Sequence, residues 1–120
     1  MLRHLLLCIL IALPTAASAS DLTHGEIEDE LVGRQIAWWE MEGWRHGHLF
    51  LLPNGAAEMT VERPQAQHDV GRWWLRGDHV CTRWGEARSG LEKCYRIRRG
   101  EDGVFVTTGG NVFEIRELGV

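Results

Sequence analysis

From Gln35 onward the chain is cut into short runs in which apolar and polar residues alternate, separated by glycine, asparagine and proline. Alternation with a period of two is the signature of strands buried on one face. The runs are Ile36 to Met41, His48 to Leu52, Ala57 to Glu62, Val70 to Arg76, His79 to Trp84, Leu91 to Arg98, Val104 to Thr107 and Val112 to Leu118. Pro53-Asn54-Gly55 carries the Asn-Gly hairpin signal, and Gly100 to Gly103 and Gly109 to Asn111 are further turns. The polar segment Arg63 to Asp69 is a connector. Short strands joined by tight turns predict an antiparallel meander of about eight strands, closing into a small up-and-down barrel or half-barrel because closure removes exposed edges.

One stretch has a different period. Leu22, Ile27 and Leu31 form an apolar stripe at helical spacing. Thr23 and Glu26 fit a capping box, and Gly33 suits the C-terminal stop. The pattern therefore predicts one N-terminal helix ahead of the β-meander. The acidic run Glu26, Glu28, Asp29 and Glu30 reads as its solvated face.

The first residues read as a secretory signal. Arg3 and His4 precede an apolar run from Leu5 to Leu13, too short to span a bilayer. Pro14 breaks the run, and Ala17-Ser18-Ala19 supplies a small-x-small cleavage pattern. The expected organisation is a signal peptide over 1–19 and a single β-rich domain over 20–120, periplasmic or secreted, with no membrane span after cleavage. Cys8 leaves with the signal, so Cys81 and Cys94 remain as a pair in an oxidising compartment. A small domain buries a modest fraction of its surface. A disulfide and six tryptophans, each able to bury roughly 150–250 Å², compensate.

The cysteines predict a register. Each lies in a strand run, and a bridge between directly opposed residues pairs Val80 with Tyr95, Trp84 with Leu91 and Arg83 with Glu92. Gly77-Asp78 suits a two-residue II′ turn, which pairs Leu75 with Val80 and Trp74 with Cys81. One face then carries Trp73, Leu75, Val80, Thr82, Trp84, Leu91, Lys93, Tyr95 and Ile97. The other carries Trp74, the cysteines, Glu92, and the basic residues Arg72, Arg76, His79, Arg83, Arg96 and Arg98. A slip of one residue would destroy this separation. Thr82 and Lys93 are the two polar residues on the apolar face, and suit a rim.

The formal net charge of −4 gives no reason to expect nucleic acid as a partner. Against that acidity the basic face stands out. Arginine donates planar, bidentate hydrogen bonds, so Arg72, Arg76, His79, Arg83, Arg96 and Arg98 form a candidate anion-binding face. The bland alternative is a solvated outer surface partly neutralised by Glu92. His46 and His48 share one side of an extended segment, half of a metal site, but no spacing specifies a third ligand among His24, His68 and Asp69. No metal or cofactor is expected. Arg76-Gly77-Asp78 spells an integrin-type tripeptide at a position where Gly-Asp already has a turn role. Trp38, Trp39 and Trp44 are candidates for an aromatic platform or for burial. No nucleophile elbow, phosphate loop or zinc-protease motif occurs, and Ser89 lies in a loop.

The run Gly71-Arg72-Trp73-Trp74-Leu75-Arg76-Gly77-Asp78-His79-Val80-Cys81-Thr82-Arg83-Trp84, followed by Glu92-Lys93-Cys94-Tyr95-Arg96-Ile97, resembles small secreted proteobacterial proteins of an uncharacterised domain family. Their pattern is Gly-x-Trp, a Gly-Asp turn, Cys-x-x-Trp, then Cys followed by an aromatic. The resemblance implies a Gram-negative envelope location and a β-rich fold, and carries no catalytic residue. The expected function is a non-enzymatic envelope module binding an unknown small ligand or envelope protein, in the barrel mouth or on the arginine face. Two alternatives stand beside it. One is a periplasmic hydrolase inhibitor presenting the loop Gly85 to Gly90. The other is a small hydrolase or isomerase with a barrel-mouth site.

Overall fold

A computed structural model describes residues 20–62 and 65–116. The expected signal segment 1–19 lies outside the described residues. Among the described residues the chain forms one α-helix, α1 (His24–Glu30), and nine strands: β1 (Gln35–Glu40), β2 (His46–Leu51), β3 (Ala56–Val61), β4 (Gln67–Arg76), β5 (His79–Trp84), β6 (Lys93–Tyr95), β7 (Ile97–Arg99), β8 (Val104–Thr107) and β9 (Asn111–Ile115). Every strand pair is antiparallel, in the order β6-β5-β4-β3-β2-β1-β9-β8-β7.

The strands at the two ends of that order, β6 and β7, are separated in the chain only by Arg96. The single run expected over Leu91 to Arg98 is therefore split. Its first part pairs with β5 and its second with β8, and this curls the sheet into a nearly closed barrel. The Thr108 N–H donates to the Arg96 carbonyl at 3.0 Å across the join. Lower down, Asp21 bridges Arg98 and the Leu22 N–H donates to the Ile97 carbonyl at 2.7 Å, so the residues ahead of α1 lie alongside β7.

The predicted register holds between β4 and β5 and over three pairs of β5 with β6. Val80 faces Tyr95, Cys81 faces Cys94, Thr82 faces Lys93, Leu75 faces Val80 and Trp74 faces Cys81. Cys81 and Cys94 are bridged. Gly77 opens the turn at φ +59, where glycine has no Cβ penalty. The register fails beyond Lys93. Trp84 and Leu91 are not partners, and Leu91 is 66% exposed, because β6 begins only at Lys93 and the chain before it leaves the sheet. Arg83 and Glu92 are likewise unpaired in the ladder.

Leu22, Ile27 and Leu31 are buried with Ile36, Leu51, Val80, Ile97 and Phe105. Helix α1 thus closes one end of the barrel, and its capping box between Thr23 and Glu26 is formed. Arg99 locks it there. The guanidinium donates to Glu26 at 2.9 Å and to Glu30, and lies 5.8 Å from the Phe105 ring centroid. The bonds to Glu30 and then Glu26 hold Arg99 above its ordinary range. Hydrogen bonds from the Thr23 backbone and hydroxyl, then from Arg99, hold Glu26 below the usual carboxylate range. The His24 N–H donates to Asp78 at 2.8 Å, tying the helix to the β4–β5 turn.

Candidate functional site

The end of the barrel opposite α1 is open. It is framed by the loops 41–45, 85–92 and 108–110. A cavity of about 130 Å³ enters here, walled by Trp38, Leu49, Met59, Trp84, Tyr95 and Phe113, with Thr82, Arg88, Lys93 and Asn111 at its polar positions. Tyr95 meets Phe113 edge to face, with centroids 6.1 Å apart. The Trp38 indole N–H donates to the Thr60 carbonyl at 3.2 Å. Gly47 leaves room for this: a Cβ there would lie 1.7 Å from the Thr60 oxygen and 3.1 Å from the indole nitrogen.

The two polar residues that interrupted the predicted apolar face are now neighbours in the mouth. Thr82 pairs with Lys93, and Thr82 is only 3% exposed. The side chains of Thr82, Lys93, Tyr95 and Asn111 make no hydrogen bond or ion pair with another described residue. Withdrawal from water holds the Lys93 ammonium below the usual lysine range, and the charge of Arg88 pushes the same way. Burial raises the Tyr95 phenol, so Tyr95 stays a neutral donor.

Arg88 reaches the mouth from a built loop. The Asp69 carboxylate accepts from the Ala87 N–H at 2.7 Å and the Glu86 N–H at 3.1 Å. Desolvation pushes Asp69 up, but backbone donors at Ala87, Glu86, Val70 and Gly85 outweigh it and leave the carboxyl below its ordinary range. Arg88 and Ser89 both sit at φ 55, followed by Gly90 at +69, so three successive residues are left-handed. Non-glycine residues adopt this conformation at a cost of about 1 kcal/mol or more each, and such strain concentrates at functional positions. Sequence alone gives no sign of it.

The arginine face divides. Arg76 pairs with Glu92 at 2.9 Å. Asp21 takes Arg96 at 3.6 Å and Arg98 at 3.8 Å. Arg96 also donates to His79 at 3.2 Å. Four of the six basic residues thus brace the outer sheet and the N-terminal segment. Arg72 and Arg83 face each other across β4 and β5 with no ion pair to another described residue. The disulfide lies on this outer face opposite Trp74, yet Cys81 itself is fully buried and outside the main core cluster.

His46 and His48 do share a face, but Glu62 accepts from both, at 3.1 Å each. Among the described residues, ligand atoms converge for a metal only at Cys81, Glu92 and Cys94, where the disulfide removes both thiolates. The Arg76-Gly77-Asp78 tripeptide is engaged at both ends, by Glu92 and by the His24 N–H. Trp38 lines the mouth, Trp39 is half-buried on the outer face and Trp44 is 64% exposed on the rim loop. A wider groove of about 520 Å³ crosses the outer side of β2 and β3 past His48, Phe50, Glu58, Thr60 and His68. It is open surface, and its His48 is already paired.

No family model, curated protein or solved structure matches the chain.

Proposed function

We propose that the protein is a non-enzymatic binding module of the cell envelope that takes a small ligand in its barrel mouth. The observation that carries this reading is the set of four polar side chains, on Thr82, Lys93, Tyr95 and Asn111, that converge on an aromatic-walled cavity without bonding to one another or to any other described residue. Among the described residues no buried side-chain polar atom lacks a partner, so these four groups meet solvent in the mouth, and a ligand there takes the place of water. An apolar pocket with a few convergent polar groups is the usual form of a small-molecule site. The resemblance to small secreted proteobacterial proteins, the bridged cysteines and the signal-like N-terminus support the envelope location.

Native mass spectrometry of protein isolated from the envelope tests this reading. A small molecule retained in the folded protein, released on denaturation and lost from the mouth-filling variant Met59→Trp, is the expected result. Equal retention in the variant would overturn it.

A second reading has one observation in its favour. The loop 85–90 is pinned by Asp69, and Leu91 beside it is exposed, as a hydrolase inhibitor's inserting loop would be. Pull-down with Leu91→Ser, a change outside the cavity lining, distinguishes the two. Loss of a captured hydrolase with unchanged small-molecule retention would favour inhibition.

A further inference from the structure

Resting on the reading of the mouth as a binding site, we infer its ligand class: a small organic anion of about benzoate size, bearing one carboxylate. The carboxylate sits between the Lys93 ammonium and the Arg88 guanidinium, and the apolar body lies against Trp38, Trp84, Tyr95 and Phe113.

Three observations select this chemistry. The first is charge. Lys93 and Arg88 both line the cavity, and no carboxylate does among the described residues. Asp69, the acid on the neighbouring strand β4, is committed to the loop backbone at Glu86 and Ala87. Two like charges at one apolar mouth repel, and an anion between them removes that repulsion while satisfying both. The second is lining. Six apolar or aromatic residues form the remainder of the wall, together with the Tyr95 ring. A fully hydrated inorganic oxyanion would leave that surface against its own water shell, whereas a ring or branched chain covers it. The third is size. A volume of about 130 Å³ is close to that of the ~150 Å³ apolar cavities that accept benzene. It excludes a long acyl chain and suits one ring with one carboxylate. Thr82 and Asn111 then supply neutral hydrogen bonds that orient the head group.

The test uses the folded, disulfide-intact protein with three probes: benzoate, benzyl alcohol and inorganic sulfate. Calorimetry gives affinity, and the tryptophan indole and Lys93 amide resonances report location. Benzoate is expected to saturate at the mouth at least about tenfold more tightly than benzyl alcohol or sulfate. Lys93→Met keeps the apolar stem and is expected to lower benzoate affinity by at least about tenfold, leaving benzyl alcohol unchanged. Arg88→Gln is expected to act in the same direction. Benzyl alcohol binding at the mouth as tightly as benzoate would overturn the anion class and leave the mouth as a site. Benzoate perturbing resonances at Arg72 and Arg83 in place of the mouth would overturn the site itself.

Discussion

The Lys93 ammonium rests against Gly109: a Cβ built on the glycine would lie 2.7 Å from Nζ and 2.8 Å from Cε. The turn between β8 and β9 thereby sets where the cation sits. Gly109 is not at positive φ, so alanine is allowed by its backbone, and the atoms it would displace are the end of a flexible side chain. Gly109→Ala should leave thermal stability within about 0.5 kcal/mol and weaken benzoate binding severalfold. Calorimetry beside a thermal melt checks this. Unchanged affinity would separate Lys93's position from ligand capture.

Benzoate affinity should also fall at alkaline pH. Lys93 titrates below the ordinary lysine range, which centres near pH 10.4. Its positive charge disappears as pH rises through that lowered value. The groups facing it are Arg88, whose charge pushes the same way, and Tyr95, whose phenol burial has raised. The loss should therefore begin below pH 10 and vanish in Lys93→Met.

Asp69 should report its own titration through the loop it holds. Its carboxyl is lower in the folded chain than in the unfolded one, so folding releases protons in acid. The stabilisation is complete above roughly pH 4 and is lost as pH falls through the folded value. Amide proton shifts of Glu86 and Ala87 should follow that transition with a midpoint below the usual aspartate range, and Asp69→Asn should abolish it. A midpoint at or above the usual range would contradict the latch that the Glu86 and Ala87 donors form.

The helix plug is expected to be a stability element. Ile27 is fully buried against the strands. Ile27→Ala should cost about 2–5 kcal/mol, read from urea unfolding, without changing which probes bind at the opposite end.

Replacing Cys81 and Cys94 together by alanine should cost about 3 kcal/mol, the chain-entropy value for a loop of this length. The bridge is outside the main core cluster, so the refolded variant should keep the barrel's far-ultraviolet spectrum. Collapse of the sheet itself would show the bridge to be part of the core.

The central sheet was legible because three local rules agreed. The Gly77-Asp78 turn, the Cys81–Cys94 pairing and the two-residue alternation all specify one register. The mouth was half legible. Thr82 and Lys93 break the alternation, and that break marks the candidate site. Leu91 was misplaced because alternation continues through it, although the chain has already left the sheet for the Asp69-held loop. The pairing within the arginine face was not legible, because Asp21 lies far away in sequence and reaches Arg96 and Arg98 only once the barrel curls. Arg88 could not be found at all, since nothing in the letters Arg-Ser-Gly announces three left-handed residues in succession.

The bond from the Leu22 N–H to the Ile97 carbonyl, and the Asp21–Arg98 bridge beside it, join residues from near opposite ends of the domain. Neither can form until the whole meander between them has curled. Such non-local contacts slow folding because loop-closure entropy must be overcome first. The joining of β7 to the N-terminal segment is therefore expected to be a late event. Hydrogen exchange pulsed during refolding should protect the amides of β4 and β5 before that of Leu22. On a chain that emerges N-terminus first, the first structured residues would stay unpaired until nearly the last strands arrive.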